Sequence, residues 1–502
     1  MVKGTLRTCM AGAALWVTAW AASGSTQTSA SVTAQPSTNA QAIEAADNQL
    51  AASLVTAINS IDPAERRRWA TQYHSTKDGA YSVEALTKML TDISNAGHSV
   101  SLIGVKRRGE WIGVNLRAAN GKTGQLRLQT DQADGNKVLG FNAYARPSTY
   151  PIPLVDKPVS REVLRAAIDE RLKFAAAKDE FSGSVLVMKG DELIYKGAFG
   201  QADKNFAVPN TLDTRFHTGS MDKMFTATMI GQLIDEGKLT LDTRLAEVLP
   251  DYPNKDAAHK ITIRHLLSHQ SGVASNFGGS ESDRFKPFER VSEQLAGFAS
   301  KPLDFEPGTR ADYSNEGFTI LGAVLEKLTD TTFYDLVQKR IFDRAGMKNT
   351  VYYRIDEIAP LRAVGYRFPD EDFLGFGQRI NNLTFMGFGY RGGANGGSYS
   401  TVGDMTLFLK ALRAYKLMSP TLTETMTGLQ KGYEQYGYGF LHRKLGDKTV
   451  RGHTGGGAFS GINGISRMVW ENGYSVVVMG NYDAPLIEWV GDDIVKMVAA
   501  QP

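Results

Sequence analysis

Six strand patterns between 184 and 481 fall into two groups, separated by the whole stretch from 201 to 437, and this separation limits the folds open to the chain. The first pair covers 184–189 and 193–200, with Gly190-Asp191 as a hairpin signal between them. The second group covers 438–444, 448–453, 461–469 and 474–481, and Asn472-Gly473 marks a hairpin between the last two. Helical patterns fill most of 240–430 and flank the strands at about 160–178 and 484–499. An α+β fold is expected: one antiparallel sheet assembled from distant segments and flanked by helices, with a helical subdomain inserted between its strands. A cleft beside that sheet is the natural place for a site.

Upstream, 41–150 reads as a small α+β domain. Helical patterns at 41–60, 63–73 and 82–95 precede alternating runs at 100–107, 111–117, 124–130 and 138–144. Asn120-Gly121 and Asp134-Gly135-Asn136 are the turn signals. In layout alone it resembles the cone-shaped nuclear-transport-factor-like domains. Pro147, Pro151, Pro153 and Pro158 mark the linker to a larger domain over 160–502. Residues 23–40, rich in Ser, Thr, Ala and Gln, are expected to be a disordered tether.

Lys3 and Arg7 precede an apolar run from Met10 to Ala22, and Ala19-Trp20-Ala21 has the small-x-small form of a leader-peptidase site. Residues 1–22 are therefore expected to be a signal peptide, and the protein periplasmic or secreted in a bacterium. A loose membrane association follows only if the leader is retained. The single cysteine, Cys9, lies inside this leader, so a mature chain would have no disulfide, thiolate metal site or cysteine nucleophile. A net charge of +3 without a Lys/Arg cluster excludes nucleic acid as a partner. His265 and His269 stand four apart, but Leu266 occupies the place of the glutamate in a zinc helix, and packing roles are expected for both. No metal and no cofactor is expected.

The chemistry centres on Ser220 and Lys223. Phe225, Met229, Leu233 and Ile234 recur at helical spacing behind them, and Gly237 closes the pattern. Ser220 should then sit at a helix N-terminus with Lys223 one turn along the same face. A serine hydroxyl needs a base to become a nucleophile, and a partly desolvated lysine can supply one. A helix N-terminus also favours negative charge developing beside it.

Two further clusters carry suitable groups. Tyr313 and Asn315 occupy a polar loop before the apolar pattern of Phe318, Leu321 and Leu325. A phenol near an ammonium can relay a proton, and an amide can hold a substrate carbonyl. Gly452-His453-Thr454-Gly455-Gly456-Gly457 ends a strand, where glycines let a substrate backbone lie along the edge and a backbone N–H can serve an oxyanion hole. Gly392-Gly393-Ala394-Asn395-Gly396-Gly397 lacks the lysine of a phosphate loop and reads as a flexible edge of the cleft.

S-x-x-K, Y-x-N and H-T-G, in that order, resemble the signature of the penicillin-recognising serine hydrolases, in the branch holding class C β-lactamases, DD-carboxypeptidases and bacterial esterases. The resemblance runs from about Phe181 to Asn481. It includes the stretch from Ile261 to Gly272, Gly396-Gly397-Ser398-Tyr399-Ser400-Thr401 and Tyr436-Gly437-Tyr438-Gly439-Phe440. It implies that Ser220 is acylated, that Lys223 is its partner base and that Tyr313 relays protons. Asn315, His453, Thr454 and Gly455 would bind substrate, and the N–H groups of Ser220 and Gly456 would form the oxyanion hole. Whether Lys223 or Tyr313 is the general base stays open, since the two would titrate as a pair.

One departure bears on substrate. Position 453 is histidine where lactamases and DD-peptidases of this branch usually have lysine, and a histidine is charged only part of the time near neutral pH. An esterase is the first expectation. A β-lactamase or a D-amino-peptide hydrolase is the alternative, and a non-catalytic binding module on the same scaffold is a third reading. The partner would be a small ester, amide or β-lactam.

Overall fold

The computed structural model describes residues 38–275, 285–383, 389–430, 435–457 and 460–502. The expected leader, 1–22, and most of the expected tether lie outside the described residues. The first helix, α1 (Thr38–Asn59), begins inside the 23–40 stretch, so the end of that stretch is helical rather than disordered.

The described chain forms two compact units. In the first, α1, α2 (Pro63–Tyr73) and α3 (Val83–Gly97) precede β1 (Val100–Arg108), β2 (Trp111–Ala118), β3 (Thr123–Asp131) and β4 (Lys137–Arg146). The Asp62 carboxylate caps α2 and Pro63 occupies its first position, while the Ser82 hydroxyl caps α3. The strands pair in sequence order as an antiparallel meander. Leu54, Ile58, Leu86 and Leu90 from the helices bury against Val114, Leu116, Leu126 and Leu128 from the sheet. This unit also takes in a distant segment, 367–380. Leu374 and Phe376 join its core, and Asn120 Nδ2 donates to the Phe376 carbonyl at 2.6 Å. The sequence pattern carries no sign of that loan.

The second unit comprises 150–366 and 381–502. Its sheet contains β5 (Gly183–Lys189), β6 (Glu192–Phe199), β7 (Leu441–Leu445), β8 (Lys448–Gly457), β9 (Ile462–Val469) and β10 (Tyr474–Gly480), in the order β7-β8-β9-β10-β5-β6. All neighbours are antiparallel, and β10 pairs with β5 across the long intervening stretch. Val185, Val187, Ile465, Val476 and Val478 pack with α4 (Arg161–Ala177) and the terminal helix on one face. Val477, Met468 and Met479 enter the helical core on the other. Period-two alternation thus has apolar residues on both faces, which is why β9 and β10 are buried along their whole length.

The helical body between β6 and β7 is organised on α5 (Lys223–Asp235), whose residues from Lys223 to Leu233 are all buried. Phe225 and Met229 share its core with Phe318 and Leu321 of α6 (Asn315–Thr329) and Phe408 of α7 (Val402–Arg413). The spacing suggests an amphipathic helix, but α5 is covered all round: Met224 and Ile230 are buried as fully as Phe225 and Met229, with small or weakly polar Thr226, Ala227, Thr228 and Gly231 among them. Gly237, at φ 69°, ends it as expected. The terminal helix α8 (Leu486–Ala499) closes the other face of the sheet.

Candidate active site

Ser220 lies in a single 3₁₀ turn, Gly219–Asp222, that runs directly into α5, so Lys223 is the first residue of the helix proper. The turn is pressed against β8. Gly219 sits at φ 55°, and a Cβ there would lie 2.4 Å from the Gly456 nitrogen. Only glycine meets both demands. Gly396 closes in similarly, since a Cβ on it would lie 2.7 Å from the Gly219 carbonyl oxygen. Three separate stretches, 219–223, 395–398 and 455–456, therefore converge on one hydroxyl.

Lys223 is completely buried. Its Nζ lies 3.1 Å from Ser220 Oγ, 2.7 Å from Asn315 Oδ1 and 2.6 Å from the Asn395 carbonyl oxygen. Burial pulls its pKa down to about 7, opposed by the charges of Asp222 and Glu316. Two of the three partners are carbonyl oxygens, which can only accept. A neutral amine has two N–H bonds and one lone pair. Three acceptors match the three N–H bonds of an ammonium that donates to Ser220 Oγ. Once neutral, with both N–H bonds kept by Asn315 and Asn395, the amine has its lone pair facing the Ser220 hydroxyl and can accept the serine proton, and α6 supplies the orienting amide by starting at Asn315. The Ser314 hydroxyl caps that helix on the Gly317 N–H at 3.0 Å.

Tyr313 is half-buried beside them, with Lys223 Nζ 4.8 Å from its ring centroid. The first two motifs are thus brought together. In the third, Thr454 is half-buried, Gly455 buried and Gly456 exposed. β7 pairs with β8 only as far as Gly452. Beyond it, among the described residues, no strand covers that side of 453–457.

His453 departs from the expected substrate contact. It is 1% exposed, its Nδ1 lies 2.5 Å from the Thr454 carbonyl oxygen, and its Nε2 lies 2.9 Å from the Tyr436 hydroxyl. A carbonyl cannot donate, so the ring proton is on Nδ1, and Nε2 accepts from Tyr436. Burial lowers its pKa to about 3. The imidazole is neutral, and both its nitrogens are used within the protein.

Several residues not singled out by spacing complete the site. Asp222 is fully buried; its carboxylate accepts the Ser398 N–H at 2.6 Å and the Ser398 hydroxyl at 2.7 Å. Burial raises its pKa to about 6. Thr218 donates its N–H and hydroxyl to the Ser398 carbonyl at 2.9 and 2.8 Å. Asn395 Nδ2 reaches Thr319 Oγ1 at 3.2 Å, which fixes the carbonyl facing Lys223. The stretch expected to be a flexible edge, 392–397, is instead a largely buried wall: Gly393, Ala394, Gly396 and Gly397 are buried, and Gly392 and Asn395 half-buried. The sequence signal available for these was an aspartate two residues after the candidate nucleophile.

His265 and His269 do not share a helix face. The helix Ile263–Leu267 ends between them, and His265 Nδ1 accepts the Thr262 N–H at 3.3 Å in a capping box. Among the described residues, no group of three or more His, Cys, Asp or Glu side chains is placed to hold a metal, and no helix is long and apolar enough to cross a membrane.

The chain is similar to several known proteins. Penicillin-binding protein 4 of Amycolatopsis lactamdurans is 33% identical over 184 residues, which is 36% of this chain and 48% of that protein. The chain thus spans about half the length of that relative. Esterase EstB of Burkholderia gladioli is 27% identical over 356 residues, 63% of this chain and 90% of that protein. The crystal structure of a penicillin binding protein from Bacillus halodurans matches with a TM-score of 0.56 at 29% identity, covering 65% of this chain and 98% of that one. Residues 164–500, more than half of the chain, match the Beta-lactamase family model, and the chain belongs to that family of serine hydrolases.

Proposed function

We propose that the protein hydrolyses esters of uncharged acids through an acyl-enzyme on Ser220. The carrying observation is the three-way setting of Lys223 Nζ among Ser220 Oγ, Asn315 Oδ1 and the Asn395 carbonyl. Neutral Lys223 takes the Ser220 proton as Oγ attacks the ester carbonyl carbon. The carbonyl π bond breaks, and the N–H groups of Ser220 and Gly456 hold the resulting oxyanion. The C–O bond to the leaving alkoxide then breaks as a proton passes to it from Lys223, with Tyr313 as relay. Water repeats the sequence in the second half, releasing the acid and restoring Ser220. In this reading Lys223 is the base, and Tyr313 moves the proton rather than taking it first.

The preference for esters rests on position 453. A neutral imidazole with both nitrogens engaged supplies no cation for the carboxylate of a β-lactam or a D-alanyl terminus. The name of the Burkholderia gladioli relative, an esterase, is consistent with this. Export remains part of the proposal and rests on the leader pattern of residues 1–22.

A substrate panel tests the proposal: short nitrophenyl esters, nitrocefin and D-alanyl amides, each with wild type and Ser220→Ala. Turnover of the esters that disappears in Ser220→Ala supports it. Faster turnover of nitrocefin or of the amides overturns the ester reading, and turnover retained in Ser220→Ala overturns the nucleophile.

A further inference from the structure

His269 lies beyond the helix Ile263–Leu267, at φ 58°. A bulky L-residue enters that left-handed region only when its surroundings hold it there. The side chain is completely buried. The contacts that hold it are directed at one loop. Its carbonyl oxygen accepts the Asp312 N–H at 2.8 Å, and its Nδ1 accepts the Ser314 N–H at 3.1 Å. Tyr313 lies between these two anchors.

The imidazole also packs on the phenol itself, with ring centroids 4.3 Å apart and planes inclined by 34°. Its other neighbours are Tyr436 at 4.7 Å and Phe318 at 5.2 Å. Tyr436 is the donor to His453 Nε2. An Nδ1 that accepts an N–H carries no proton, so the ring is neutral with its hydrogen on Nε2. Burial and the nearby charge of Lys223 both oppose protonation.

We propose that His269 is a positioning residue for Tyr313: it clamps the loop on both sides of the tyrosine and packs on the ring, setting where the hydroxyl stands relative to Ser220 and Lys223. The proposal rests on the reading of Ser220 as nucleophile. The role needs two separable things, an acceptor where Nδ1 is and a residue content with a positive φ. Asparagine offers both, since its amide oxygen falls near the Nδ1 position and it tolerates the left-handed region. Phenylalanine keeps a ring but strands the buried Ser314 N–H.

The test compares His269→Asn, His269→Phe and wild type for kcat and KM on a nitrophenyl ester, fluorophosphonate labelling rate and thermal midpoint. Tyr313→Phe, alone and combined with His269→Phe, and Ser220→Ala complete the set. His269→Phe is expected to lower kcat by about tenfold or more with KM changed less than about twofold, because misplacement of a reacting group acts on the chemical step. His269→Asn should recover most of the loss. In the Tyr313→Phe background His269→Phe should cost less than about threefold, since the residue acts through the phenol.

Equal losses in the Asn and Phe variants, a change confined to KM, or a full additive loss on top of Tyr313→Phe would each overturn the clamp. Turnover abolished in Ser220→Ala beside an undiminished His269→Phe would overturn the clamp alone. Turnover retained in Ser220→Ala would overturn the nucleophile reading, and the clamp with it.

Discussion

Replacing Lys223 with arginine keeps a positive charge and its donors but removes the ability to lose a proton, because a guanidinium stays protonated above pH 12. The effect follows from the burial of Nζ, which brings the lysine to about 7. The active form is the neutral one, so acylation should rise with pH and level off above about 7. At pH 5, two units below, roughly 1% of the lysine is neutral, and labelling by a fluorophosphonate should run about a hundredfold below its plateau. Lys223→Arg should lose the general-base contribution at every pH, a factor of about 10² to 10⁴. The assay is the second-order labelling rate at a series of pH values, with ionic strength held constant. A rising limb centred near 10, the range of an ordinary lysine or tyrosine, would refute the neutral-lysine account. So would an arginine variant that labels within about threefold of wild type at pH 7.

Three further outcomes are expected. Lys223 has a folded pKa below its unfolded value, so the native state binds fewer protons between about 7 and 10.5 and wild-type stability gains from this group as pH rises through that window; Lys223→Met lacks that term, so its thermal midpoint relative to wild type should be highest at pH 6 and fall towards pH 9. Gly219→Ala places a methyl group 2.4 Å from the Gly456 nitrogen at a positive φ, and a displacement of about 1 Å there should slow labelling about a hundredfold, as measured beside the circular dichroism of the folded variant. His453→Lys puts an ammonium into a site 1% exposed, so urea unfolding should show a loss of at least about 2 kcal/mol, with no gain in nitrocefin turnover.

The sheet was legible because its strands alternate and its hairpins carry glycine at the turns: Gly190 and Gly473 both have positive φ where those turns form. Ser220, Lys223, Tyr313 and Asn315 were legible as a set because each residue type has a distinct chemical use, and an ordered set of such motifs is rarer than any one of them. What spacing could not reveal is long-range satisfaction of polar groups. Asp222 finds its partners at Ser398, and Lys223 its third partner at the Asn395 carbonyl, contacts between stretches about 170 residues apart. The same limit hid the passage of 367–380 into the core of the first unit, where Leu374 and Phe376 are buried and Phe373 packs against them. Burial of His453 was also out of reach, because the partner that takes up its Nε2, Tyr436, lies 17 residues away in sequence.

The most direct test is intact-mass and peptide-level mass spectrometry of the protein quenched during turnover of a nitrophenyl ester. The account predicts one acyl group added per chain, mapped to the peptide containing Ser220 and absent from Ser220→Ala. An acyl group on any other residue, or undiminished turnover by Ser220→Ala, would contradict it.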